Sequence, residues 1–307
     1  MKNVIFYTYS KWAFGTIHYE LSKYLFNEGL NCQLLPWQEH YISTEIQNLD
    51  KTTDIWMSTF DGILDLNKHG IELSKCVVIT HSLGDLQWYD ENIVKQLKGY
   101  GCISNVIKNE AKKLNHAYIP KLCSLGVNYH TFFTPPSNKL ETVGYAGSYC
   151  DKATYDDAVN KQDTNNHYLL KRGHLVQECV EESGFNFKIA VYNTTTFVSM
   201  SGFYKSVDCI IMSSTELEAG GLPVLEAGAA GKLVIGTPVG HWNDKIGNAG
   251  GIEVPIPEHE FKKKVVEILN FYKSNPIEYH NRCLQIQEHA KSYDWSNVIH
   301  QWVDLII

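Results

Sequence analysis

Short apolar runs alternate along this chain with longer segments whose apolar positions recur at helical spacing. Residues 3–9 (NVIFYTY) predict a strand, and residues 10–15 a loop. Thr16 to Asn27 reads as an amphipathic helix carrying Ile17, Leu21, Tyr24 and Leu25 on one face and ended by Gly29. Strands are expected at 31–35, 54–60 and 76–80, then a strand, cap and helix over 101–114. Pro135-Pro136 and the polar residues after them read as a linker. The alternation restarts with a strand at 142–146 and a turn at Gly147-Ser148. Residues 150–167 are polar, lack apolar periodicity and read as a long mobile excursion. A helix (169–183), a strand (185–192), a helix (196–206) and a strand (207–212) follow. A strand at 232–236, a loop at 240–244 and a strand at 252–256 lead to helices at 258–273 and 276–292. Ser292 to Ser296 caps a last helix reaching Ile307.

This order predicts α/β architecture with parallel sheets covered by helices on both faces. A chain of 307 residues fits two such domains. The pattern divides them as 1–137, with the closing helix from about 293 to 307 added, and 138–292.

Composition narrows the class. The chain is 44% hydrophobic and 20% charged, as in an ordinary globular protein. The first residues are too briefly apolar for a signal peptide, and no run is long enough to span a membrane, which points to the cytoplasm. Eight cysteines lie far apart with no C-x-x-C pair, so buried thiols are expected rather than a disulfide framework or zinc site. The net charge of −7 counts against a broad nucleic-acid surface. Residues 1–139 carry 13 Lys against 13 Asp and Glu, so the deficit lies in the second half. Lys108, Lys112, Lys113 and Lys121 fit either a solvated helix face or an anionic lipid surface, leaving peripheral membrane contact open.

The candidate chemistry centres on Ser213 to Gly231 (SSTELEAGGLPVLEAGAAG). A strand, a glycine-containing loop and a helix N-terminus together form an anion site, because unpaired amides and the helix dipole point at the same place. Glu218 and Glu226 frame it. No D-x-D pair ends a strand and no His or Cys cluster has ligand spacing, so no metal is called for. Neither a G-x-S-x-G elbow nor a Cys/His signature suggests hydrolysis.

Glu218-Ala219-Gly220-Gly221-Leu222-Pro223-Val224-Leu225-Glu226 resembles the E-x7-E signature of family 4 glycosyltransferases, which have the GT-B fold. The stretches 119–135, 143–147 and 234–252 and the turn Asp294-Trp295-Ser296 agree with that family in order. The resemblance is weakest over 1–74. It implies two Rossmann-like domains facing across a cleft, a closing helix that returns to the first domain, and retaining transfer from a nucleotide sugar, UDP- or GDP-linked. The acceptor would be a glycan, a lipid-linked or a small molecule; the acidic charge counts against a nucleic-acid acceptor. No separate cofactor is implied.

By the same resemblance Glu226 takes ribose hydroxyls and Glu218 the sugar 3-hydroxyl. The amides of Gly220, Gly221 and Leu222 face the diphosphate, as does Gly15 in the first loop. Ser214 bonds the nucleobase or caps the loop. His81, after the strand 76–80, lies near the sugar and acceptor. The family's arginine after its first strand of this half is replaced by Ser148, so Lys171 and Arg172 are the expected phosphate partners. A helix-dipole carboxylate for Glu226, a packed His81 and a solvated Lys171-Arg172 pair are the plain structural readings. Trp12 and Phe14 stack on an acceptor or simply pack. A sugar-nucleotide epimerase and a non-catalytic nucleotide or carbohydrate binder are the alternative functions.

Overall fold

The computed structural model describes residues 1–9, 12–37, 41–161, 167–190, 197–215, 218 and 220–307, with the side chains of 12–14, 167–168, 197–199 and 248 outside that description. The chain divides into two compact units, residues 1–126 with 295–307, and residues 127–294. The first boundary therefore falls ahead of the double proline. Val127 already belongs to the second unit, where its N–H donates to Tyr293 O (2.9 Å) and it bridges to Asp294.

The first unit is a six-stranded parallel sheet. Its strands are β1 (Lys2–Thr8), β2 (Leu30–Pro36), β3 (Ile55–Ser58), β4 (Cys76–Thr80), β5 (Gly99–Cys102) and β6 (Lys121–Leu122), ordered β2-β1-β3-β4-β5-β6. Central strands β3 and β4 are buried at every position, as a sheet covered on both faces requires. The closing helix Trp295–Ile306 belongs here. Its Trp302 Nε1 donates to Ser124 O (2.9 Å), and Gln301 accepts from Ser124 N (2.8 Å). Gly99 and Gly101 of β5 make room for it: a Cβ on either would lie within 2.7 Å of Leu305.

The second unit is a five-stranded parallel sheet of β7 (Thr142–Ala146), β8 (Asn186–Ala190), β9 (Cys209–Met212), β10 (Leu233–Gly236) and β11 (Ile252–Glu253), ordered β11-β10-β9-β7-β8. The strand order reverses between β7 and β9. Such a switch point opens a crevice at the carboxyl ends of the two strands, where open α/β sheets bind ligands. The helix Leu222–Ala229 packs behind β9 and β10, and Gly231 (φ +67°) ends it, since a Cβ there would meet Gln287 and Thr134 O within 2.9 Å.

Several elements differ from the pattern reading. The first helix begins at Trp12, so Gly15 lies buried in its opening turns and not in a loop; the apolar stripe through Ile17 and Leu21 outweighs the glycine's low propensity. The helix Phe60–Lys68 follows β3 directly, where the pattern runs the strand to 60. Part of the polar excursion is a helix, Lys152–Asn160. Asp151 caps it by accepting from Thr154 N (2.8 Å), and Lys152–Asp156 and Asp157–Lys161 pairs brace its exposed faces. The expected helix 169–183 is two helices, His167–Lys171 and Gly173–Glu182, broken at Arg172 in the left-handed region (φ 48°, ψ 43°). A π-helix, Trp242–Ile246, begins inside the expected loop at 240–244 and runs past its end. Residues 191–192 of the expected strand 185–192 lie outside the described residues. Among the described residues no helix is long and apolar enough to cross a membrane.

Candidate functional site

The carboxyl ends of β7, β9 and β10 meet the break at Arg172. Ser213 Oγ, just past β9, lies 2.7 Å from Lys171 O and 3.0 Å from Arg172 O. Thr237 Oγ1, just past β10, donates to Ser214 O (2.7 Å). Tyr145 of β7 places its hydroxyl on Ser148 O (2.9 Å) and near Lys171 O (3.4 Å). Gly173 is required at the break because a Cβ would lie 2.9 Å from the rings of Tyr145 and Tyr149. Ser148 and Lys171, distant in sequence, are thus tied through one tyrosine.

Lys171 forms an ion pair with Glu218 Oε2. Burial draws the lysine down to about 8, and the adjoining carboxylate favours its charged form at neutral pH. Glu218 also accepts from Gly220 N through Oε1 (3.1 Å), and Ser214 Oγ lies 3.4 Å from Oε2. Gly221 (φ +128°) then leads into the helix Leu222–Ala229, whose first amides have no helical partners. The turn is held from behind by Gly240 (φ +56°). A Cβ there would sit 2.1 Å from Gly220 O, and the next residue, His241, donates its N–H to the same carbonyl (3.3 Å).

Arg172 is turned inward. Nε donates to Ser213 O (2.8 Å) and Nη1 to Ile256 O (2.6 Å), and the side chain is 6% exposed. Its fork therefore braces the loop after β9 against the segment after β11, with Phe261 under the guanidinium at 5.8 Å. Arg172, expected as a phosphate partner with Lys171, gives its Nε and Nη1 to backbone carbonyls of its own unit.

Glu226 sits on the second turn of the helix and is 6% exposed. Oε2 accepts from the hydroxyl of Tyr204 (2.8 Å), which lies on the helix Phe197–Lys205. Burial raises the carboxyl to about 7, and the tyrosine hydrogen bond opposes that rise. Burial and the neighbouring carboxylate hold the Tyr204 hydroxyl well above its ordinary value.

His81 and Gly15 belong to the first unit. His81 follows β4, and Asp85 clamps its turn by accepting from His81 N (2.7 Å), Ser82 N (3.0 Å) and Ser82 Oγ (2.7 Å). Its ring lies 5.9 Å from that of His18, one turn beyond Gly15 on the first helix. Burial lowers His81 to about 3, so it is neutral across the physiological range. The side chains of Trp12 and Phe14 lie outside the described residues, as does Ala219.

The second unit thus gathers Ser148, Lys171, Ser214, Glu218, Gly220, Gly221 and Leu222 at one switch point, with Glu226 behind them. Sequence reasoning missed Tyr145, Tyr204 and His241. None of them carries a local signal of its partner, and only the fold pairs it with one. Among the described residues no group of three or more His, Cys, Asp or Glu is placed to hold a metal ion.

No family model matches the sequence, and no curated protein matches it either. Solved structures do. HepE from Anabaena is 11% identical with a TM-score of 0.68, covering 99% of each chain. Sucrose-phosphate synthase from Thermosynechococcus elongatus is 13% identical with a TM-score of 0.64, covering 99% of this chain and 98% of the other. The lipopolysaccharide outer core galactosyltransferase WaaB is 13% identical with a TM-score of 0.63, covering 99% of each. The chain has the fold of these proteins, the two-sheet GT-B architecture.

Proposed function

We propose that this protein is a glycosyltransferase that moves a sugar from a nucleoside diphosphate sugar to an acceptor hydroxyl, with retention at the anomeric carbon. The observation that carries the reading is the Lys171–Glu218 pair, set on the Gly220-Gly221 turn at a helix N-terminus and at the sheet's switch point. A cation, a carboxylate and converging amides on one turn suit a ligand that is anionic at one end and a polyol at the other.

The roles follow from the chemistry. As the bond from C1 to the β-phosphate oxygen breaks, negative charge grows on the phosphate and positive charge on the ring. Lys171 and the amides of Gly221 and Leu222 stabilise the phosphate, and preorganised donors of this kind contribute about 10²–10³ in rate each. Glu218 exchanges part of its contact with Lys171 for the sugar 3-hydroxyl, and Glu226 takes the ribose. Lys171 stands in for the arginine that Ser148 replaces, since Tyr145 ties the two positions together. Arg172 supports this arrangement from beneath and does not touch the phosphate. Retention needs no separate base: the departing phosphate accepts the acceptor's proton on the face it leaves. The acceptor belongs to the first unit, with His81 as a neutral hydrogen-bonding group. UDP is the first nucleotide to try, because HepE structures contain UDP with glucose and UDP-glucose.

Release of free nucleoside diphosphate from a panel of UDP- and GDP-sugars tests the reading. Turnover is expected in the wild type and not in Glu218→Ala. A changed sugar still attached to its nucleotide would instead favour the epimerase.

A further inference from the structure

The helix Lys152–Asn160 rests on one histidine. It follows the Ser148 position and packs on two helices, His167–Lys171 and Gly173–Glu182. Its grip is thin: Ala158 is buried, Tyr155 is half-buried, and its other residues are exposed. Tyr155 lays its ring over His174, with centroids 4.1 Å apart and planes tilted by 43°. His174 is 2% exposed, and neither ring nitrogen has a hydrogen-bond partner among the described residues. We propose that this contact is an acid-sensitive clasp: neutral His174 holds the helix 152–160 in place, and protonation releases it, removing the outer support of the helix that ends at Lys171. The effect on nucleotide binding rests on the donor reading above, whereas the clasp itself does not.

A charged ring fits this place poorly. An imidazolium has two N–H donors, and neither nitrogen meets an acceptor here, so the charge would be buried unpaired. His174 also lies in the first turn of the helix Gly173–Glu182, where the helix dipole disfavours a cation. Two carboxylates act the other way, Glu178 one turn on in the same helix and Glu258 at the start of the helix Glu258–Ser274. Lys262 pairs with both, at 3.3 Å from Glu258, which blunts their pull. The clasp helix itself adds Lys152 and Asp156, opposite in sign and paired at 3.0 Å. Arg172, just before the histidine's helix, acts on Tyr155, whose hydroxyl burial raises and so keeps uncharged. Burial prevails over the carboxylates and lowers His174 below its ordinary 6.5. Once released, the ring returns to about 6.5. The docked helix therefore binds fewer protons than the released one, so docking is at full strength above that value and weakens as pH falls below it.

Amide hydrogen exchange read by mass spectrometry at about pH 7.5 and pH 5, corrected for intrinsic rates, tests the clasp. In the wild type, protection of 152–160 should fall about tenfold or more at the lower pH, up to the roughly 30-fold that a group freed to titrate at 6.5 allows. Protection of 258–274 should hold within about threefold, which separates release of one helix from unfolding of the unit. His174→Phe and His174→Gln cannot take up the proton, and protection of 152–160 in each should change less than about threefold between the two pH values. Tyr155→Ala should release the helix at both. Protection that survives at pH 5 in the wild type, a loss that both histidine variants share, or an equal loss over 258–274 would overturn the proposal. Titration of UDP and GDP into the same proteins tests the link to Lys171: from pH 7.5 to 5 the wild type should lose at least about threefold more affinity than His174→Phe. Equal losses would overturn that link. If neither nucleotide binds at either pH while the exchange pattern holds, the donor reading falls and the clasp stands.

Discussion

Replacing Glu226 by glutamine should stabilise the unliganded protein, and increasingly so as pH rises. Glu226 is raised from 4.5 to about 7 in the folded state by burial. A carboxyl whose folded pKa is raised binds more protons folded than unfolded between those values, so its contribution to stability falls as pH climbs through the window. The cost of keeping it buried is under about 1 kcal/mol at pH 5 and reaches about 3 kcal/mol at pH 8, at 1.36 kcal/mol per pKa unit. Glutamine keeps an acceptor for Tyr204 and carries no charge, so the variant escapes this cost. At about 2–4 °C per kcal/mol, its midpoint should exceed the wild type's by roughly 6–12 °C at pH 8 and by far less at pH 5. Thermal unfolding of both proteins at pH 5, 6, 7 and 8 measures it. A difference that does not grow with pH would refute the reasoning, because a merely better-packed amide would act equally at every pH. The stabilised variant should also bind nucleotide more weakly, so this carboxylate is kept for binding at the expense of stability.

Other substitutions probe the same turn. Lys171→Ala should lower turnover about 10²–10³-fold with little change in acceptor KM, measured by nucleotide release, because the lost donor acts on the leaving phosphate. Gly240→Ala should destabilise the protein by more than about 1 kcal/mol, since it adds a Cβ against Gly220 O at a left-handed φ; chemical denaturation and turnover should both report the loss. His81→Gln should leave the shape of the pH–rate profile between pH 5 and 8 unchanged, because the native ring is already neutral there. A lost titration step near 6.5 would refute that.

Much of the site lay open in the sequence because its parts are local. A strand, two glycines and a helix start within one segment carry their own geometry, and Glu218 and Lys171 do meet. Contacts made across the sheet could not be read that way. Nothing in Arg172's neighbours announces a left-handed backbone, which depends on Gly173 fitting against Tyr145 and Tyr149. Tyr204 stands 22 residues before its partner Glu226, and only the packing of two helices brings them together. The helix Lys152–Asn160 escaped notice because caps and ion pairs, not an apolar stripe, sustain it. Gly15 misled for the opposite reason: a glycine after a strand reads as a loop, while the apolar stripe behind it already sets the helix.

The donor assignment is tested most directly by measuring free nucleoside diphosphate released from UDP-glucose and related UDP- and GDP-sugars, with wild type, Glu218→Ala and Lys171→Ala in parallel. The account predicts release by the wild type from at least one donor and its loss in both variants. Release that persists undiminished in both variants, or the absence of binding and release with every donor, would contradict it.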